Sequence, residues 1–185
     1  MLALGTALPP FTLPDVASGS AVSSDTFHDH AALVVIFLCA HCPYVHHVAP
    51  ELARLEADYA SRGVGIVGVT SNDIVGYPQD APEPTARFAR EQGWTFPLLF
   101  DETQEVARAF TAACTPDFFL FDAQRKLVYR GQLDGSRPSR GEGRPSAGTL
   151  DGSALRAALD AVLAGELVAG EQRASIGCSI KWKEA

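Results

Sequence analysis

"FLCAHCPYVHH", residues 37–47, ends an apolar run with two cysteines separated by two residues, then sets a proline and a pair of histidines behind them. Three chemistries fit those letters: a redox dithiol, half of a metal site, or two core thiols that happen to be close. The flanks narrow the choice. Upstream, Ala32 to Leu38 is a continuous apolar stretch with the length of a buried strand. Downstream, Val45, Val48, Leu52, Leu55 and Tyr59 recur at helical spacing and predict a helix from about Pro43 to Ala60 with an apolar stripe. Pro43 suits a first turn, where a missing N–H costs nothing. Pro50 lies in the interior, where it deletes the bond to the His46 carbonyl, and predicts a kink.

A Cys-X-X-Cys segment between a strand and a helix has a physical consequence. Unpaired amides and the positive end of the helix dipole favour a thiolate, so Cys39 is expected at the N-cap or first turn as the nucleophile. Cys42, one turn in, is expected to resolve a mixed disulfide by closing an intramolecular bond. His41 can donate to the Cys39 thiolate, lower its pKa and move the couple toward the oxidising side. A metal site needs two further ligands. His46, His47, Cys114 and Cys178 are the candidates, but their spacing forms neither a second Cys-X-X-Cys nor a His-X-X-X-His pair. The strand–motif–helix setting favours redox chemistry, and no metal is assigned. His46 and His47 read as solvated helix residues or a partner-contact face.

The rest of the chain alternates short β-branched runs with helical patterns. Val64 to Thr70 reads as a second buried strand, Pro84 to Gln92 as a helix, and Pro97 to Phe100 as a short strand. Asp101 or Thr103 can cap a helix running through Phe110. Asp117 to Phe121 and Lys126 to Arg130 predict an antiparallel hairpin, and Ser153 to Ala164 a last amphipathic helix. Gly135 to Gly152, rich in Gly, Ser, Arg and Pro, reads as a long surface loop. This order predicts an α/β layer with a mixed sheet and helices on both faces.

At 185 residues and 46% hydrophobic content, the chain fits one domain with a sizeable core. Its net charge of -7 comes without any Lys/Arg run, which argues against a nucleic-acid partner. Met1 to Pro10 lacks the basic start of a signal peptide. The longest apolar run, Ala31 to Ala40, is about half of the roughly 20 residues a membrane helix needs. A cytoplasmic protein without a membrane partner is expected. In a reducing compartment the four cysteines, Cys39, Cys42, Cys114 and Cys178, point to catalytic, redox-sensing or metal roles, or to isolated buried thiols, ahead of a static disulfide framework.

Several segments in one order resemble the thioredoxin superfamily, in its redoxin branch (related to the AhpC/TSA and TlpA types). They are "LGTALPPFTLPDVASG" near the start, "CAHCPYVHH" at 39–47, "SNDIVGYPQD" at 71–80, "FDETQEVARAF" at 100–110, "CTPDFFLFD" at 114–122 and "GCSIKWK" at 177–183. The resemblance implies a thioredoxin-like three-layer α/β/α fold with a central mixed sheet and an N-terminal redoxin extension. It implies one domain over 1–185, with 168–185 packed on it as a tail. It also implies a thiol–disulfide oxidoreductase with antioxidant activity and no cofactor. The partners would be protein or small-molecule disulfides and dithiols, together with a recycling reductase or thiol.

The resemblance further implies a cis Thr115–Pro116 bond in a loop facing the dithiol, with the Thr115 backbone available to a substrate strand. Cys114 would lie near Cys39 and Cys42, as a buried thiol or in a redox or metal-assisting role. Cys178 would serve packing, resolution or metal ligation. Ile180 and Trp182 would add an edge strand or cover a sheet face.

The departures from the pattern carry expectations too. Leu38 precedes the motif and Ala40-His41 fills it, unlike a general thioredoxin reductant. Leu33 and Val45 stand where related proteins carry carboxylates, so the proton acceptor for Cys42 falls to His41, His46 or water. Ile36 stands where peroxiredoxins place a hydroxyl, which argues against peroxidase chemistry. The alternatives to disulfide exchange are a soft-metal (copper or zinc) or redox-sensing module and, behind it, a peroxiredoxin-like peroxidase.

Overall fold

Ala32 to Phe37 is buried along its whole length because both faces of this strand are covered. Ala32, Val34 and Ile36 point into one apolar cluster, and Leu33, Val35 and Phe37 into another. The alternation follows from the two-residue period of a strand. A continuous β-branched run therefore marks the middle of a three-layer structure.

The computed structural model describes residues 2–139 and 146–184. Its elements are β1 (Thr12–Pro14), β2 (Ala21–Ser23), β3 (Ala32–Phe37), α1 (Pro43–Tyr59), β4 (Val64–Thr70), α2 (Pro82–Glu91), β5 (Leu98–Phe100), α3 (Glu105–Ala109), β6 (Cys114–Thr115), β7 (Asp117–Phe121), β8 (Leu127–Gly131), α4 (Ser153–Leu163) and β9 (Cys178–Ser179). Five strands form the central sheet in the order β5-β4-β3-β7-β8. β3, β4 and β5 are parallel, and β7 and β8 are antiparallel to their neighbours. That is the expected mixed sheet, with crossovers first and a hairpin later.

On one face lie apolar residues of α1, α2 and α4, including Val45, Leu52, Phe88, Leu155 and Leu159. The other face is covered by Val106 and Ala107 of α3, by Phe110 at its C-cap, and by Phe11, Leu13 and Phe27 from the segment around β1 and β2. The small β1–β2 hairpin had no expectation from sequence, since three-residue strands give too few positions for a period to show. α1 continues through Pro50, which is exposed within it. α4 is held to α1 by a buried ion pair: Arg156 donates to Glu51 at 2.8 Å, and the Glu51 side chain is 3% exposed.

The expected surface loop falls partly outside the described residues, at 140–145. Its flanks are joined by a bridge between Arg137 and Ala147, and the Asp134 carboxylate accepts from the amides of Ser136, Asp151 and Gly152. Among the described residues no helix is long and apolar enough to cross a membrane.

Candidate active site

The central strand β3 delivers the chain to Leu38 and Cys39 at its carboxyl end, and α1 begins at Pro43. Cys42, not Cys39, is the N-cap residue, with extended backbone (φ -76°, ψ 122°). This corrects the expectation that the first sulfur sits at the helix start. The reason is local: Pro43 fixes the first helical position, so Ala40 and His41 form the bend between strand and helix.

Both sulfurs converge on Thr115, the last residue of β6. Cys39 Sγ lies 3.2 Å from the Thr115 hydroxyl, and Cys42 Sγ donates to the Thr115 carbonyl at 3.1 Å. The Thr115–Pro116 bond is cis. Both thiols are buried, Cys39 at 2% exposure and Cys42 at 0%. All four cysteines are free thiols.

Each sulfur shifts the acidity of the other, in opposite senses. The hydrogen bond from Cys39 holds Cys42 down at about 5, helped by Cys178 and the Val45 amide against the effect of burial. Giving that bond, together with burial and the nearby Asp80 charge, pushes Cys39 well above its ordinary value, while the Thr115 hydroxyl pulls it down. The Thr115 carbonyl works against this split, because an oxygen that can only accept favours a protonated Cys42. The position of the charge therefore depends on which donors surround Cys42.

His41 is placed differently from expectation. Its Nδ1 pairs with Asp80 at 2.5 Å, and its ring stacks on Tyr77 with centroids 5.3 Å apart. Asp80 also accepts from the amides of Ala40 at 2.9 Å and His41 at 3.2 Å, and from the Asn72 side chain at 2.8 Å. Its side chain is fully buried. A single carboxylate thus holds the Cys-X-X-Cys bend in place, as a buried charge must be held by several donors.

Asp80 and Asn72 were missed as site residues. They lie in the stretch "SNDIVGYPQD" that carried part of the resemblance, but no spacing rule connects them to a motif some forty positions earlier. Asp80 answers the search for a carboxylate near the dithiol: it arrives from the loop before α2 instead of from β3 or α1.

The remaining candidates divide. Cys114 is half-buried, its thiol directed to the Pro116 carbonyl at 3.7 Å, and burial pushes it up to about 12. Cys178 pairs across the β6–β9 ladder with Thr115 and packs on the cluster that contains Cys39 and Cys42. The tail does not extend the central sheet; it forms a separate two-stranded ladder with β6. Ile180 is buried, and Trp182 lies under the Arg108 guanidinium at 4.6 Å. His46 Nε2 bonds the Ala40 carbonyl at 2.7 Å, and His47 Nε2 the Ser136 hydroxyl at 2.9 Å. Among the described residues the atoms of Cys39, His41 and Asp80 lie within 4.8 Å of one another, a spacing that could hold a metal ion.

The Redoxin family model matches residues 3–145. The chain belongs to the Redoxin family. The crystal structure of an uncharacterized conserved protein from Geobacillus kaustophilus is 51% identical to this redoxin, with a TM-score of 0.91 over 100% of this chain and 95% of that one. The protein named "Putative peroxiredoxin Rv2521" of Mycobacterium tuberculosis is 33% identical over 108 residues, 58% of this chain and 63% of the relative. The redoxin thus spans less than two thirds of that relative's length.

The thiol-disulfide oxidoreductase ResA of Geobacillus kaustophilus is 28% identical over 121 residues, 65% of this chain and 64% of the relative. The fold is thioredoxin-like. The thioredoxin domain of a Bacteroides vulgatus thiol-disulfide oxidoreductase matches it with a TM-score of 0.61 at 22% identity, over 70% of this chain and 89% of that one. Family and relatives together support a redox function.

Proposed function

We propose that this redoxin is a thiol–disulfide oxidoreductase that exchanges disulfides through Cys39 and Cys42. The observation that carries the reading is the convergence of both sulfurs on Thr115 at 3.2 and 3.1 Å. Cys39 is the attacking sulfur. It passes its proton across its hydrogen bond to Cys42, keeps the Thr115 hydroxyl as donor, and attacks one sulfur of a disulfide. The other substrate sulfur leaves as a thiolate. Cys42, already lined up on Cys39, then attacks the mixed disulfide, closes the Cys39–Cys42 bond and releases the substrate's second thiol. Thr115 and Pro116 position the pair, and His41 with Asp80 fixes the bend that carries Cys39. A dithiol or a reductase returns the pair to the reduced state.

Insulin reduction in a glutathione buffer tests the reading. Cys39→Ser is expected to abolish exchange, and Cys42→Ser to accumulate mixed disulfides through Cys39. Mixed disulfides trapped only by Cys39→Ser would transfer the attacking role to Cys42. An unreactive wild type would overturn the reading.

A second reading, a soft-metal module, rests on the close approach of Cys39, His41 and Asp80. Elemental analysis with a thiol count separates the two. Stoichiometric metal with protected thiols supports the module, and four titratable thiols without metal remove it.

A further inference from the structure

Three thiols meet at Thr115, and the exchange reading uses two of them. The third, Cys178, is brought there by backbone geometry. Its strand runs antiparallel to β6, with Thr115 opposite Cys178 and Cys114 opposite Ser179. Gly177 makes this approach possible: a Cβ at that position would lie 2.0 Å from the Thr115 carbonyl oxygen. That oxygen is the one Cys42 Sγ contacts at 3.1 Å. Cys178 packs on the cluster that holds Cys42, and its thiol and amide help to hold that sulfur low.

The segment is tied down beyond the ladder. Ile180 is buried, and its amide bonds the Ala113 carbonyl at 3.3 Å. The Lys181 amide donates to the Asn72 side chain at 2.8 Å, and the Lys181 carbonyl accepts from the Asp73 amide at 2.8 Å and from Gln104 at 2.8 Å. Asn72 in turn donates to Asp80, which holds the bend carrying Cys39. Continuous hydrogen bonds therefore join the segment to the dithiol loop.

We propose that Cys178 is a third exchange thiol, presented by segment 177–181 as a tethered strand that lies where an external disulfide must enter. The inference rests on the exchange reading. In the oxidised protein the Cys178 thiolate attacks Cys42. The Cys42–Cys178 bond forms, the Cys39–Cys42 bond breaks, and its electron pair leaves on Cys39, which takes up the proton Cys178 gave up. The step is an isomerisation, so no further oxidant is consumed. It moves the disulfide from the buried Cys39 to the half-buried Cys178 and returns Cys39 as a thiol. With the segment seated, Cys39 and Cys42 stay buried, so an external disulfide has to lift it.

The test uses the full chain, oxidised with diamide, quenched in acid, alkylated and cleaved with trypsin. Cys39 and Cys42 fall in one peptide ending at Arg54, and Cys178 in a separate peptide from Ala174 to Lys181. In the wild type the expected products are a closed Cys39–Cys42 peptide and, in at least about a tenth of the oxidised protein, a cross-link between the two peptides with Cys39 alkylated. Cys39→Ser should raise the cross-link to nearly all of the oxidised protein, and Cys178→Ser should remove it.

Gly177→Ala, which forces the strands apart, should cut the cross-link about tenfold and speed alkylation of Cys39 in the reduced protein by a similar factor. A wild type that closes Cys39–Cys42 without any cross-link overturns this inference and leaves the exchange reading standing. A wild type that forms neither bond overturns both. A cross-link unchanged in Gly177→Ala overturns the claim that the strand delivers Cys178.

Discussion

Asp80 is the residue whose replacement separates positioning from charge. Asp80→Asn keeps an oxygen for the Ala40 and His41 amides but removes a negative charge that disfavours the Cys39 thiolate. The reduced pair should gain stability, so the reduction potential measured against glutathione should rise. A change of one unit in the thiol pKa corresponds to about 1.4 kcal/mol, or about 30 mV for a two-electron couple. A fall in potential would show that the carboxylate acts on the pair mainly by another route. Cys42 makes a second prediction at this scale. Because its pKa is lowered to about 5, thiolate absorbance near 240 nm in the reduced protein should persist below neutrality and disappear with a midpoint near that value. Cys42→Ser should lose the step; a midpoint near 9 would show an ordinary thiol.

Among the elements, α1 and α4 are joined by a buried ion pair between Glu51 and Arg156. Arg156→Leu leaves Glu51 inside with only Arg54 beside it, at 2.6 Å. Removing one partner of a buried pair costs roughly 3 kcal/mol or more, so the urea midpoint should fall clearly. A shift no larger than that of a surface substitution would show that Arg54 compensates.

Legibility in the sequence also divides by element. β3, β4 and α1 could be read from runs and periods because each has six or more residues and its pattern is set by burial. α3 was expected from an Asp101 or Thr103 cap; Asp101 accepts from the Val106 and Ala107 amides and the Thr103 hydroxyl from the Glu105 amide, yet the N-cap is Gln104 in a left-handed conformation. β6 and β9, two residues each, had no period to show. Cys39 and Cys42 were legible as a pair from strand and helix alone. Their partners Thr115, Asp80 and Cys178 lie at sequence distances no local pattern spans; Cys178 came forward as one of four cysteines, and Thr115 only through the resemblance.

For the whole molecule, Asp117 links stability to acidity. It opens β7, 4% exposed, and burial raises its pKa from 3.8 to about 6. A group raised in the folded state contributes stability that is fully present below 3.8 and is lost as pH rises through about 6. The two values imply a loss of roughly 3 kcal/mol between about pH 4 and 7. Asp117→Asn cannot ionise, so its unfolding free energy relative to wild type should climb by that order across the same range in urea titrations. A constant difference would show that Asp117 titrates alike in both states.

The chain has two tryptophans, and the fold treats them unequally. Trp94 is buried, its ring stacked on Phe96 and its N–H bonded to the Ala49 carbonyl at 3.0 Å. Trp182 is 39% exposed and rests against Arg108, just past the Lys181 anchor. Fluorescence of Trp182 is thus a built-in optical gauge of the seated segment. Emission should shift to longer wavelength when the strand departs, over a steady Trp94 background that needs no external dye.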